Sequence, residues 1–340
     1  MTAPPSVSVV MPAYNVAAFI EESIGSVLAQ TWSDFELVVV DDGSSDNSAA
    51  LAEAIDDPRI SVIRQVNRGL AGARNTGIRA ARAPIIAFLD SDDLWMPRKL
   101  EAHMAHLAAH PAVGVSFDPS RIIDDAGHPL GLVQTPKRRD ISPLDVFTRN
   151  PVGNGSAPVI RRTCLDSIAL LPAPGEPGAD RLCWFDESFR QSEDIECWMR
   201  IALTTDWRFQ GLDEALTWYR ISESGLSANV ERQFESWRRM AAKVAALDPE
   251  FYLDHGRLAE AYQLRYLARR AVRSRDGRKA LSLVTRAIRT APAILWKEPL
   301  RSLVTLGAAI VLRGTPLVLY RSLERLALSL NQIRTRGGTA

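Results

Sequence analysis

The first 110 residues alternate between short apolar runs and stretches with helical spacing. "SVSVVMPAY" (6–14) is a continuous apolar run that closes on a Pro turn. That is the pattern of a strand covered on both faces. "AAFIEESIGSVLAQ" (17–30) follows, with Ile20, Ile24, Val27 and Leu28 at helical spacing. "FELVVVDDGSSD" (35–46) is a second β-branched run, ending in acids, Gly and Ser, and a helix is expected from there through Ala54. "ISVIRQ" (60–65) predicts a third strand, and "GLAGARNTGIRAARA" (69–83) a Gly-rich loop entering a helix. "PIIAFLDSDD" (84–93) predicts a fourth strand, and "MPRKLEAHMAHLAAH" (96–110) a fourth helix. Strands alternating with helices predict an α/β fold with a mostly parallel central sheet flanked by helices. Ligands of such sheets bind beyond the carboxyl ends of the strands. "DDGSSD" and "DSDD" both fall at such ends, so the two acidic clusters should share one edge.

The pattern loosens after Gly114. "GVSFDPSRIID" and "APVIRRT" read as strands, "SEDIECWMRIALTT" (192–205) as a helix capped by Ser192, and "WRFQG" and "ALTWYRIS" as two closing strands. From residue 231 the pattern is almost wholly helical. Residues 259–292 read as helix, Asp-Gly turn, helix and Pro stop. We expect an α/β domain over 1–230 and a helical region over 231–340. "SLVTLGAAIVLRGTPLVLY" (302–320) is the most apolar stretch. Arg313 and Pro316 interrupt it, and it falls short of the roughly 20 residues that span a bilayer. It is either a buried hairpin or, with Lys297, Arg301, Arg321 and Arg325 around it, a helix lying on a membrane surface.

Charge sharpens this division. Residues from 231 onward hold 21 Lys+Arg against 9 Asp+Glu, net +12, and residues 1–230 hold 20 against 31, net −11. An acidic half suits a metal site, and a basic half suits anionic lipid or another polyanion. Apolar content of 46% and charged content of 24% describe a soluble globular protein. Cys164, Cys183 and Cys197 lack metal-ligand spacing, and an odd, sparse count fits a reducing compartment. The first residues show no basic, apolar leader pattern, so a cytoplasmic site is expected. His103, His106 and His110 form no ligand set and are read as surface positions of a helix.

The remaining question is why a buried strand should end on Asp90, Asp92 and Asp93. Close carboxylates repel unless a cation sits among them or water solvates them. "VSVVMPAYN", "FELVVVDDGSSD", "NRGLAGARNTGI", "FLDSDDLW" and "SEDIECWMRIA" occur in this order. Together they resemble the family 2 glycosyltransferases of GT-A fold, over roughly residues 6–228. The resemblance implies an inverting enzyme that moves a sugar from a nucleoside-diphosphate sugar, UDP-sugars being favoured. The acceptor would be a saccharide or a lipid-linked glycan of a bacterial-type cell surface. By the same resemblance, Pro12, Ala13 and Tyr14 line the base pocket, and Asp41 and Asp42 accept hydrogen bonds from base or ribose. Arg74 steadies the diphosphate. Asp90 and Ser91 face the donor, and Asp92 ligates Mn²⁺ or Mg²⁺, with Asp93 behind it or capping a helix. Asp194 is the general base. Glu193, Asn154 and Trp198 lie on the acceptor side, with Ser156 and Trp184 as further contacts. Arg220 or Ser227, in "YRISESGLS", reaches a phosphate.

Each motif has a plainer reading. "DDGSSD" is turn chemistry, "SED" is helix-cap chemistry, and the two tryptophans suit a core. Two other functions compete. A non-catalytic nucleotide-sugar-binding homologue would need no base. A nucleotidyltransferase would carry a basic Gly-rich loop after the first strand, which "MPAYNVAAF" lacks. No nucleic-acid partner is expected.

Overall fold

The computed structural model describes residues 3–172, 174–175, 179–221 and 230–315. It divides into two compact units, one of residues 1–228 with 238–248 and one of residues 229–237 with 249–340. Ser227, Arg321 and Arg325 lie outside the described residues.

The α/β unit begins β1 (Val7–Ala13), α1 (Ile20–Leu28), β2 (Phe35–Asp41), α2 (Ser48–Glu53), β3 (Ile60–Arg64), α3 (Gly69–Ala80) and β4 (Ile85–Phe88). These are the predicted alternating elements, each trimmed at its ends. They continue with β5 (Leu94–Trp95), α4 (Lys99–Ala109), β6 (Val113–Phe117), β7 (Ser120–Ile123), β8 (Pro129–Gln134) and α5 (Pro143–Arg149). β9 (Val159–Arg161), α6 (Arg162–Asp166), α7 (Glu193–Thr204), β10 (Arg208–Gly211) and β11 (Thr217–Arg220) complete the strand-bearing part. The central sheet has the order β10-β6-β9-β4-β1-β2-β3. β1 to β4 run parallel, whereas β9 is antiparallel to both β4 and β6. A second sheet has the order β5-β11-β7-β8. The single strand expected across "GVSFDPSRIID" is two, because the Asp118-Pro119 step hands the chain from one sheet to the other.

Every residue of β1 and β2 is buried. Their apolar side chains pack with Ile20, Ile24, Val27, Leu100 and Leu107 from the helices. A parallel register pairs Ala13 with Asp41 and Val10 with Phe88. The chain therefore leaves β1, β2 and β4 at one edge, and Tyr14, Asp42 and Asp90 emerge there.

One expectation fails inside α4. His103 is fully buried, not a surface residue. Its Nδ1 lies 2.7 Å from Ser116 Oγ, and its Nε2 lies 3.1 Å from an Asp118 oxygen. Burial, the Lys99 ammonium and the half-buried His106 push its pKa down to about 4, against the pull of Asp118. A histidine held neutral in the fold but free to protonate when unfolded favours the unfolded state as acid is added. Its contribution is intact above its ordinary value of 6.5 and is lost as pH falls from there toward about 4. We expect the wild type to lose more thermal stability between pH 7 and pH 5 than His103→Gln, measured by unfolding at the two pH values. Equal losses would count against the assignment.

The helical unit contains the long α9 (Pro249–Arg273), α10 (Gly277–Thr290), α11 (Ile294–Lys297) and α12 (Pro299–Gly314), while α8 (Val230–Leu247) crosses the division. The predicted Asp-Gly turn is present. Arg275 takes a left-handed conformation, and Asp276 caps α10 by accepting from Lys279 N at 3.0 Å. Among the described residues no helix is long and apolar enough to cross a membrane.

Candidate active site

The site forms beyond the ends of β1, β2 and β4. Its centre is Arg74, whose side chain is only 3% exposed. One guanidinium nitrogen donates to Asp90 at 2.9 Å and another to Glu193 at 2.8 Å. A single buried cation therefore ties the "DSDD" acids to the "SED" acids, over 100 residues away in sequence. This differs from the expectation that Arg74 faces a diphosphate. Both arms of the fork already hold carboxylates, which is the geometry a guanidinium favours. Gly155 also lies here, and a side chain on it would collide with the Arg74 guanidinium and the Asp90 carboxylate. The loop backbone passes close to both groups, an approach open only to glycine.

The "DSDD" turn is braced from below. Ser156 Oγ donates to Asp93 at 2.5 Å and accepts from Asp90 N at 2.9 Å. Asp93 is fully buried, and its other oxygen accepts from Arg220 N at 2.8 Å. It supports the turn and caps nothing, since α4 starts later and has no side-chain cap. Ser91 is buried, and its carbonyl accepts from Ser23 Oγ at 2.8 Å. Asp92 is partly exposed. Burial and then the neighbouring Asp90 charge raise its pKa to about 6.

Asp42 accepts from Gln65 Nε2, Arg68 N and Gly69 N at 2.6–2.9 Å. It thus serves the start of α3, and both oxygens have protein partners. Among the described residues, the Asp41 side chain accepts only a long 3.4 Å bond, from Ser44 N. Pro12 and Ala13 are buried, and Tyr14 is 52% exposed.

Glu193 and Asp194 open α7. Ser192 does not cap this helix as expected; it sits in a left-handed conformation with no side-chain cap bond. Glu193 accepts from Arg74, and Asp194 accepts from Asn150. Burial, with Asp194 and Asp90 nearby, raises Glu193 to about 7 despite Arg74. Burial also raises Asp194, against Arg74 and a 3.0 Å bond from Asn150 Nδ2. Asn150 was missed from sequence. It has positive φ, and its buried Oδ1 has no hydrogen-bond partner among the described residues. A buried, unpaired amide oxygen is costly, and here it leaves an acceptor position beside Asp194.

Four of the residues read as contacts make internal contacts instead, the two tryptophans in the core as their plainer reading had it. Trp198 is 2% exposed, packed edge-to-face against Phe185 and Phe209, so it offers no face to a sugar. Trp184 is likewise buried, its Nε1 donating to Asp166 at 3.0 Å. The Asn154 amide is used internally, donating to Ser120 Oγ and accepting from Ser156 N. Arg220 is buried rather than open to a phosphate. It donates to the carbonyls of Asp92, Asp124 and Asp125 and to Glu22. A second missed group is Glu187, buried and bound by Arg68 and Asn75 of the "NRGLAGARN" segment.

The donor set at "DSDD" is all hard oxygen, which suits Mg²⁺ or Mn²⁺. Asp92 stands next to the charge of Asp90, and neighbouring carboxylates fit a cation beside them. Among the described residues no three His, Cys, Asp or Glu side chains converge as a complete cage. Such a cation would therefore draw further oxygens from a ligand or water.

Comparison with known proteins agrees with this architecture. Residues 8–165 match the family model "Glycosyl transferase family 2". EpsJ of Bacillus subtilis, an uncharacterized glycosyltransferase, is 55% identical over 91 residues, 26% of each chain. The chain thus spans only about a quarter of that relative. The Escherichia coli UDP-Glc:alpha-D-GlcNAc-diphosphoundecaprenol beta-1,3-glucosyltransferase WfgD is 32% identical over 224 residues, covering 66% of this chain and 80% of WfgD. Among solved structures, S. aureus TarS 1-349 in complex with UDP aligns with a TM-score of 0.55 at 20% identity, over 95% of this chain and 91% of TarS. The mannosyltransferase PcManGT from Pyrobaculum calidifontis, in complex with GDP-Man and Mn²⁺, aligns with a TM-score of 0.54 at 21% identity, over 92% and 87%. The chain belongs to glycosyl transferase family 2, a family of glycosyltransferases, and has the GT-A fold.

Proposed function

We propose that the protein transfers a sugar from a nucleoside-diphosphate sugar, UDP-linked by preference, to a hydroxyl of a saccharide or lipid-linked acceptor. The setting would be the synthesis of a cell-surface glycan at the cytoplasmic face of the membrane. The bond between Arg74 and the acids of both motifs carries the reading, because it brings a donor-side and an acceptor-side carboxylate into one buried site. WfgD, whose name specifies a UDP-sugar and a lipid-linked acceptor, supports the substrate classes. TarS with UDP supports the nucleotide.

Tyr14 offers a face for the base, and Asp41 has the freer carboxylate for base or ribose. Asp90, held by Arg74, addresses the donor. Asp92 would hold a Mg²⁺ or Mn²⁺ ion, which when bound neutralises charge on the diphosphate. Asp194 accepts the proton of the acceptor hydroxyl while that oxygen forms its bond to the anomeric carbon. The bond from that carbon to the diphosphate oxygen breaks, and its electron pair leaves on the diphosphate. One displacement with no protein nucleophile inverts the anomeric centre. Asn150 orients Asp194, and its free Oδ1 can receive a second acceptor hydroxyl. Arg74 limits repulsion between Asp90, Glu193 and Asp194.

The test is a panel of UDP-, GDP- and dTDP-sugars with Mn²⁺, Mg²⁺ or chelator, read by thermal shift and released nucleoside diphosphate. Metal-dependent stabilisation by one donor, lost in Asp92→Ala, is expected. No response to any donor would overturn the reading. A further expectation concerns Asn150→Ala. It removes a donor that favours ionised Asp194, so the Asp194 pKa rises. A base must be unprotonated, so the acidic limb of the kcat profile should move to higher pH. An unmoved limb would separate Asn150 from the base.

A further inference from the structure

The helical unit presents a surface whose polarity is reversed. α12 buries Ser302, Thr305, Ala309 and Leu312 and exposes its larger apolar residues. Leu300 is 75% exposed, and Leu303, Val304, Ile310 and Val311 are each more than 40% exposed. Spacings of three, four and seven set these on one side of the helix, with exposed Gly307 between them. Trp296, at 69% exposure, lies just before them in α11. The inward side is bonded as well as packed. Ser302 Oγ donates to Ile294 O, and Thr305 Oγ1 to Arg301 O. A soluble helix normally points its apolar stripe the other way, and a contiguous exposed apolar surface marks a binding face.

Cations rim this stripe. Lys297, Arg301 and Arg313 are exposed along it. At its C-terminal end Arg275, Arg278 and Arg313, with Asp276, Gly277 and Leu312, line an open cavity of about 450 Å³. Gly277 begins α10 so close to α12 that a side chain there would meet Arg313 N at 2.7 Å. The cavity therefore combines three guanidinium groups with the positive end of α10. Asp276 also faces it, but an oxygen of its carboxylate accepts from Lys279 N. An anion site thus adjoins an apolar face.

We infer that this face docks on an anionic phospholipid surface, with Trp296, Leu300, Leu303, Val304, Ile310 and Val311 entering the acyl boundary and Arg275, Arg278 and Arg313 holding a headgroup phosphate. Charge selects the partner. Two copies meeting through this face would oppose their basic rims, whereas lipid phosphates complement them. The region's net charge of +12 from residue 231 onward adds attraction at a distance. The inference goes beyond the transferase reading and does not depend on it.

The test is co-sedimentation of the full chain with phosphatidylcholine vesicles, with and without phosphatidylglycerol. Anionic vesicles should bind the chain at least about tenfold more tightly, an advantage that shrinks with salt. Leu303→Glu and Val304→Glu, both at exposed positions, should abolish binding while leaving the melting temperature within about 2 °C, because neither residue packs inside the fold. Arg275→Gln, Arg278→Gln and Arg313→Gln should each weaken binding by roughly fivefold. Asp194→Asn should bind vesicles as the wild type does, so loss of transfer and loss of docking are separable. Several results would overturn the inference. One is vesicle binding unchanged by Leu303→Glu. Another is a dimer in solution that Val304→Glu dissociates. A third is thermal stabilisation by inorganic phosphate alone, through the three arginines, without vesicle binding.

Discussion

Asp194→Asn is expected to lower turnover by about 10³-fold while donor affinity stays within about twofold. General-base catalysis contributes roughly 10²–10⁴-fold, and an amide cannot take the proton. The side chain keeps its shape, so the bond from Asn150 can survive by rotation of that amide and the fold should not change. kcat and kcat/KM should fall together, as they do when an interaction exists only in the transition state. Glu193→Gln provides the contrast. Glu193 is bonded to Arg74, and its pKa is raised to about 7 by burial and by its acidic neighbours. Neutralising it removes one of the charges around Arg74 while the amide oxygen can still accept its hydrogen bond, so a smaller loss of turnover and a measurable change in donor affinity are expected. Steady-state kinetics of the two variants over a donor titration would decide. If Glu193→Gln lost more turnover than Asp194→Asn, the base assignment would pass to Glu193.

The sequence carried the frame of this site because the frame depends on period. Continuous apolar runs predicted β1, β2 and β4, and parallel pairing then brings Tyr14, Asp42 and Asp90 to one edge. The order of the five motifs added the helix bearing Asp194. What could not be read depends on partners distant in sequence. Arg74 was assigned to phosphate by type, yet it pairs with Asp90 and Glu193, a contact between segments over 100 residues apart. His103, His106 and His110 share one helix, and nothing local says that Ser116 and Asp118 take His103 inside. Asn150 gives no signal in a chain read by period, since its role rests on a left-handed backbone at the end of α5. β8 was missed although its Leu130, Leu132 and Val133 are apolar, because an exposed edge strand lacks the alternation that marks a half-buried one. The capping box that starts α5, Ser142 with Asp145, is legible in the sequence. The apolar stretch 302–320 fits a buried hairpin and a surface helix alike, because hydropathy alone does not say which way a stripe faces.

The buried charges beneath the site set the second large effect. Lys99 and Asp118 are both fully enclosed and paired with each other. Lys99 Nζ also donates to Ala157 O and Thr217 Oγ1 at 3.0 Å, and Asp118 accepts from Leu216 N and Thr217 Oγ1. Burial raises the Asp118 pKa, but Lys99 and His103 outweigh it and hold the carboxyl below its ordinary value. Asp118 is therefore charged in the fold, and its partner cannot be removed without cost. Lys99→Met should destabilise the α/β unit by about 3–5 kcal/mol, the range for stranding one member of a buried pair. That corresponds to a fall in melting temperature on the order of 10 °C. Adding Asp118→Asn should recover part of the loss, since a neutral amide is cheaper to enclose than a lone carboxylate. The coupling in that double-mutant cycle should exceed about 1 kcal/mol. The damage should also reach the active site. Ala157 follows Ser156, whose hydroxyl fixes Asp90 N and Asp93, so a shift of this loop moves the "DSDD" turn. Lys99→Met should then weaken donor-induced stabilisation even well below its melting temperature. A loss under about 1 kcal/mol with donor binding intact would mean that the pair neither holds the fold nor supports the turn.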